Sequence, residues 1–100
     1  MPAPSLELHP DALEDVLAGY RWYRERSVRV ADAFLAELDR ALHLIQVAPE
    51  SWPAYLAGTR DYPLRKYPYS VVYRLEGQSI VVYAFAHSKR RPGYWKSRSG

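Results

Sequence analysis

Two β-forming runs near the end of the chain constrain the fold most: Tyr69-Ser70-Val71-Val72-Tyr73-Arg74-Leu75 and Ile80-Val81-Val82-Tyr83-Ala84-Phe85-Ala86-His87. Between them stands Glu76-Gly77-Gln78-Ser79, a hairpin turn with Gly where a positive φ is required. The second run is apolar through Ala86, which suits a central strand buried on both faces. A third candidate strand, residues 59–66, is interrupted by Pro63 and so reads as an edge. The three predict an antiparallel meander.

What precedes them predicts a strand and two helices. Leu6-Glu7-Leu8-His9 alternates apolar and polar before Pro10, which reads as a short strand with Leu6 and Leu8 inward. Pro10 suits a first helical turn, and Asp11, Glu14 and Asp15 place negative charge where the helix dipole favours it. Leu13, Val16, Leu17, Tyr20 and Tyr23 then form one apolar stripe, with Gly19 inside the helix. After a charged break at residues 24–29, a second helix is expected over residues 28–48. Its stripe is Ala31, Phe34, Leu35, Leu38, Ala41, Leu42 and Ile45, and Pro49 ends it. Two amphipathic helices with a short link make an antiparallel hairpin laid on a sheet. The fold class is therefore α+β in the order βααβββ, a helical hairpin on a small, mainly antiparallel sheet.

One hundred residues form one domain with a single modest core; loose ends are expected near residues 1–4 and 97–100. The absence of cysteine excludes disulfides, thiolate metal sites and thiol nucleophiles. No apolar run approaches the roughly 18 to 20 residues that span a bilayer, and the first residues lack the pattern of a signal peptide. A cytoplasmic protein without membrane association is expected.

Charge is segregated. Residues 1–59 carry five arginines against nine acids; residues 60–100 carry nine cations against Asp61 and Glu76. The cations lie among tyrosines and tryptophans, a footprint that suits a polyanion and would suit an acidic protein partner equally well. Arg65, Lys66, Lys89, Arg90, Arg91, Lys96 and Arg98, with Tyr94 and Trp95, are the candidate binding residues. Strand alternation would put Arg65, Tyr67 and Tyr69 on one face and Lys66 on the other; the same charges on an edge strand would also discourage aggregation. Tyr94 and Trp95 are expected to fold the tail back across the sheet. Tyr69, Tyr73 and Tyr83 read as half-buried sheet aromatics, and Trp22 and Trp52 as packing residues.

The three histidines are too dispersed for a metal site, and no cofactor is implied. His43 falls off the apolar stripe and faces solvent. His9 sits at a strand-to-helix junction, where a cap or surface role is the default. His87 closes the most buried strand just before Lys89, Arg90 and Arg91, which makes it the candidate for proton transfer.

The ordered set His9-Pro10-x-Ala12, Tyr20-x-Trp22-Tyr23, Phe34-x3-Leu38, Pro49, Arg65-x-x-Pro68-Tyr69-x-Val71-x-Tyr73 and His87-x-x-Arg90-x-Pro92-x-Tyr94-Trp95-x-x-Arg98 resembles the RelE/ParE superfamily of type II toxin–antitoxin toxins. The resemblance covers nearly the whole chain and implies a growth inhibitor held inactive by a cognate antitoxin in a hetero-oligomer. One branch cleaves mRNA on the ribosome without a metal; the other poisons DNA gyrase. In the nuclease branch, Arg65, His87, Arg90 and Tyr94 would be the catalytic residues, with Lys89 beside them. That branch carries an arginine directly after the tyrosine of the third strand, where this chain has Ser70. A neutral serine cannot balance a phosphorane as guanidinium does, so the resemblance favours the ParE-like, gyrase-directed branch.

Overall fold

The computed structural model describes residues 4–99. In chain order the elements are β1 (Ser5–Leu8), α1 (Pro10–Arg24), α2 (Val28–Val47), a 3-10 turn (Leu56–Gly58), β2 (Arg60–Pro63), β3 (Tyr69–Glu76), β4 (Ser79–His87) and a closing 3-10 turn (Lys96–Ser99). The sheet order is β1-β4-β3-β2. β2, β3 and β4 form the antiparallel meander, and β1 adds to β4 in parallel. The hairpin between β3 and β4 turns at Gly77, whose φ is +62°. None of the described helices is long and apolar enough to cross a membrane.

Both helices are capped by their own sequence. His9 Nδ1 accepts from the Asp11 N–H at 3.0 Å, satisfying an orphan donor at the start of α1. Ser27 Oγ accepts from the Val30 N–H at 3.2 Å and starts α2 after a three-residue link. α2 buries Ala31, Phe34, Leu38, Ala41 and Ile45 as its stripe predicts, although Leu35 is exposed at its margin.

On α1 the expected stripe holds in part: Val16 is buried and Tyr20 and Tyr23 pack half-buried against the core, but its first member does not join them. Leu13 is 46% exposed, while Ala12, Val16 and Gly19 are buried. Successive helical residues point about 100° apart, so the inward face is centred on Ala12 instead of its larger neighbour. The physical reason is close approach: a Cβ on Gly19 would lie 2.8 Å from Phe34 Cζ and 3.0 Å from Tyr69 Oη. At Gly19 the sheet and α2 leave no room for a side chain.

The helices cover one face of the sheet and the chain's end covers the other. Val71, Tyr73, Ile80, Val82 and Phe85 join the core under the helices. Val72, Tyr83 and Ala84 pack instead against Trp95, which is 1% exposed. β4 is thus central and buried on both sides, as its uninterrupted apolar run implies, and the tail folds back across the sheet. Tyr73 and Tyr83 are buried, beyond the half-burial expected of them, and Tyr73 Oη donates to the Pro49 carbonyl at 2.6 Å. Trp52 packs edge-on against Tyr62, as expected of a packing residue.

One irregularity decides where β4 delivers its end. Val72 pairs with Ala84 but Tyr73 pairs with Val82, so Tyr83 is an extra residue, a β-bulge. Tyr83 and Ala84 both turn to the tail side. Without the bulge, Phe85 and His87 would alternate away from the helices; with it, they return to the face of Ile80 and Val82.

β2 stops at Pro63, short of the expected strand, because residues 64–68 leave the ladder and loop toward α2. The Arg65 and Lys66 amides both donate to Glu37 Oε2, at 3.0 and 3.1 Å. Arg65 and Lys66 therefore lie in a loop, and strand alternation does not govern where they point.

Candidate functional site

β1 pairs with β4 only as far as Val82, where the chain leaves the sheet and turns into α1. Beyond that point the edge of β4 has no strand partner among the described residues, and α1 supplies a substitute. Asp15 Oδ2 accepts from the Phe85 N–H at 3.1 Å. The same oxygen accepts from Tyr94 Oη at 3.1 Å and from the Arg98 guanidinium at 2.7 Å; Oδ1 accepts from Arg98 at 3.3 Å. Arg98 also donates to the Tyr83 carbonyl at 3.0 Å. One carboxylate thus joins helix, bulged strand and tail. The pair is well shielded, with side chains 13% exposed on Arg98 and 12% on Asp15. The chain end expected to be loose from residue 97 carries the most buried ion pair among the described residues.

This anchor fixes Tyr94 electrically as well as sterically. Its phenol is pushed up to about 12 by burial, by the adjacent Asp15 charge and by the hydrogen bond it donates to that carboxylate. Two guanidinium groups lie near its ring, Arg90 at 3.9 Å from the centroid and Arg98 at 5.1 Å.

Above this anchor, α1, the end of β4 and the turn after it enclose an open cleft of about 370 Å³. Tyr69 forms part of its floor, stacked on Phe85 with ring centroids 4.6 Å apart and planes within 6°. His87 meets Tyr69 edge-on at 4.9 Å. The Lys89 amide donates to His87 Nδ1 at 3.0 Å, so the neutral ring carries its proton on Nε2. Lys89 and Arg90 form one lip of the cleft and Trp22 lines the other side. Burial also raises the phenols of Tyr23 and Tyr69.

Of the residues singled out in the sequence, the cleft gathers His87, Lys89, Arg90 and Tyr94. It does not gather Arg65, which borders a separate small depression with Glu37 and Arg40. Arg91 and Trp95 line a third hollow, of about 120 Å³, together with Asp61 and Ser70, and His87, Arg90 and Tyr94 border this hollow as well as the cleft. Burial raises the Asp61 carboxyl, and a hydrogen bond with Ser70 partly offsets that rise. Lys96 lies exposed on the last turn, Lys66 is exposed in the loop, and Trp95 is core. Because its ring is buried, Trp95 positions the tail and offers no contact surface of its own.

Three residues of the site escaped the sequence reading. Trp22, expected to pack, is 51% exposed with the Arg26 guanidinium 3.5 Å from its ring centroid. Gly19 could have been found, since Ala12, Val16, Gly19 and Tyr23 share a helical phase of their own. Asp15 gives no local signal, because its partners lie 70 to 83 residues away. Among the described residues no cluster of three His, Asp or Glu side chains is placed to hold a metal.

The architecture and the chain's relatives agree. The family profile described as the ParE toxin of the type II toxin–antitoxin system parDE matches residues 6–92. No curated protein matches significantly. Among solved structures, a chain of the chromosomal ParDE toxin–antitoxin system from P. aeruginosa matches at 20% identity with a TM-score of 0.75. The match covers 87% of this chain and 98% of that one. At that identity the likeness is one of fold alone, and it extends to two helices packed on a four-stranded mixed sheet. The profile match reaches from β1 into the tail, across nearly the whole chain, and on that ground the chain belongs to the ParE toxin family of type II toxin–antitoxin systems.

Proposed function

We propose that this protein is a toxin that inhibits growth by binding an essential target such as DNA gyrase, and that a cognate antitoxin neutralises it. The observation that carries the binding reading over a catalytic one is the state of Tyr94. RNA cleavage through a 2′-hydroxyl needs a base, an acid and cations around one phosphate. The Tyr94 hydroxyl donates a hydrogen bond to Asp15, and burial with that adjacent charge pushes its phenol up to about 12, so its donor is committed inside the anchor. Arg65 borders a different depression, and Ser70 pairs with Asp61 where the nuclease branch would present a guanidinium. What is left is a cationic, aromatic surface suited to contact. On this reading Lys89, Arg90 and Arg91, with Lys66 and Lys96 further out, meet the target, and Trp95 and Arg98 hold the tail that presents them.

The second reading, a ribosome-dependent mRNA endoribonuclease, is favoured by one observation: His87, Lys89 and Arg90 share a single cleft. Purified protein separates the two. Inhibition of gyrase supercoiling, with ribosome-bound mRNA left intact, is the expected result. Codon-positioned cuts that fall at least tenfold in His87→Ala and Arg90→Ala would overturn the binding reading. If neither assay responds while a neighbour-encoded protein binds tightly, the chain is an interaction module without a toxic target.

A further inference from the structure

Residues 60–100 hold two acids, Asp61 and Glu76, and they are treated differently by the fold. Glu76 pairs with Arg74 at 2.9 Å. Asp61 has no ion pair among the described residues. It lies on the tail side of the sheet, because it stands opposite Val72, which packs with Trp95 on that face. Ser70, two residues from Val72 along β3, shares the face and hydrogen-bonds the Asp61 carboxyl. Burial nonetheless raises that carboxyl, as it does for a charge drawn out of water without a counter-ion. The Asp61 amide donates to the Pro53 carbonyl at 3.1 Å, so the loop after α2 holds this part of β2 in place. The same loop carries Tyr55, exposed, with its ring centroid 6.1 Å from that of Trp95.

Asp61 and Tyr55 line one hollow, of about 120 Å³. That is below the roughly 300 to 1,000 Å³ of small-molecule pockets and suits a single side-chain group. Arg90 and Arg91 also border it, and cations alone would invite an anion. An anion seated there would share a partly desolvated space with the Asp61 carboxylate, where like charges repel strongly. Arg90 and Arg91 are exposed, so water and salt screen them, and the Arg90 guanidinium is already laid on the Tyr94 ring at 3.9 Å. The charge at the wall therefore decides in favour of a cation. Between the two common side-chain cations, a guanidinium is planar and weakly hydrated, matches a carboxylate with a fork of donors and stacks on an aromatic ring, whereas an ammonium does none of these as well. We propose that this hollow receives a guanidinium, the arginine side chain of a protein bound across the tail side of the sheet, with Asp61 as its counter-ion and Tyr55 as its stacking face. This site lies beyond the target-binding reading above and does not depend on gyrase being the target.

The test is a titration of the isotope-labelled full chain with N-acetyl-arginine methylamide, followed by NMR at the amides of Tyr55, Asp61 and Ser70. All three resonances are expected to move together and to saturate. Asp61→Asn, which keeps the shape and removes the charge, should weaken binding at least about tenfold, the loss of one charge-assisted hydrogen bond. Tyr55→Ala should weaken it about two- to fivefold, and Tyr55→Phe, which keeps the ring, should bind as the parent does. Arg91→Ala should bind at least as tightly as the parent, since it removes a like charge from the border; an anion would lose affinity in the same variant. Glu7→Gln, an exposed acid on β1, should behave as the parent. Parental affinity in folded Asp61→Asn would overturn the proposal, as would equal affinity for the neutral citrulline analogue or for the lysine analogue. So would saturation without movement at these three amides, or inorganic phosphate moving them at lower concentration than the arginine probe and losing that effect in Arg91→Ala.

Discussion

Asp15→Asn replaces the one carboxylate that ties α1, the bulged strand and the tail together with a neutral group of the same shape. The parent oxygen pair accepts from a backbone amide, a phenol and a guanidinium, in a place where Arg98 and Asp15 are both nearly nine-tenths shielded. Breaking a buried pair by neutralising one member strands the other, at a cost of about 3 to 5 kcal/mol. The amide keeps one acceptor and places an NH2 where the second oxygen stood, facing donors it cannot satisfy. The lower end, about 3 kcal/mol, is therefore the expected loss. In a domain of this size each kcal/mol moves the melting temperature by roughly 4 to 8 °C, so Tm should fall by more than about 12 °C. Urea unfolding supplies the free energy, and amide hydrogen exchange around Trp95 reports whether the tail loosens before the sheet does. The double variant Asp15→Asn/Arg98→Met removes the stranded charge and should recover part of the loss, since residues in direct contact couple by about 0.5 to 3 kcal/mol. A single variant that loses less than about 1 kcal/mol, with tail exchange unchanged, would refute the view that this carboxylate organises the site.

Trp95→Ala should cost about 3 to 5 kcal/mol, because it empties the centre of the packing on the far face of the sheet, and chemical denaturation measures it. Gly19→Ala sets a gain of up to about 1 kcal/mol in helix propensity against contacts of 2.8 and 3.0 Å with Phe34 and Tyr69. Overpacking costs about 1 to 3 kcal/mol where a core cannot give, and Phe34 is fully buried, so a net loss of stability is expected in urea unfolding. Tyr73 and Tyr94 both have their phenols pushed up to about 12 by burial first of all, from an ordinary 10.0. The folded chain then holds these protons between pH 10 and about 12 while the unfolded chain releases them. Their contribution is complete below pH 10 and is lost as pH rises through 12. Tyr73→Phe, though less stable at neutral pH for want of the bond to Pro49, should show a shallower alkaline decline in a series of unfolding curves.

How far the sequence could be read depended on whether the signal was local. The hairpin and both helices are written within a few residues, so βααβββ follows from periodicity, Gly77, Pro10 and Pro49. The parallel seat of β1 beside β4 is not local, and nothing in Leu6-Glu7-Leu8 selects that edge over the far one. The stripe on α1 missed Ala12 and Gly19 for a related reason. Periodicity counts large apolar residues, but a helix that lies close to its neighbours buries its smallest side chains, and Ala12 and Gly19 weigh little in such a count.

The bulge at Tyr83 is the step on which the site turns, and it is hidden by the very feature that identified the strand. In a strand with one wet face, an inserted residue breaks the alternation of polar and apolar and shows in the sequence. β4 is apolar on both faces, so Tyr83-Ala84 reads the same with the bulge or without it. The cost of misreading it is the face of every residue downstream, since a one-residue slip exchanges inside for outside. His87 belongs to the cleft under α1 only because that slip occurs. The cations after it follow His87 through the turn that its Nδ1 closes with Lys89. The converse holds for Arg65: the strand that would have aligned it with Tyr69 ends early, at Pro63, because Glu37 captures the loop amides. Residue types thus nominated the site, and two departures from regular strand geometry decided which nominees meet.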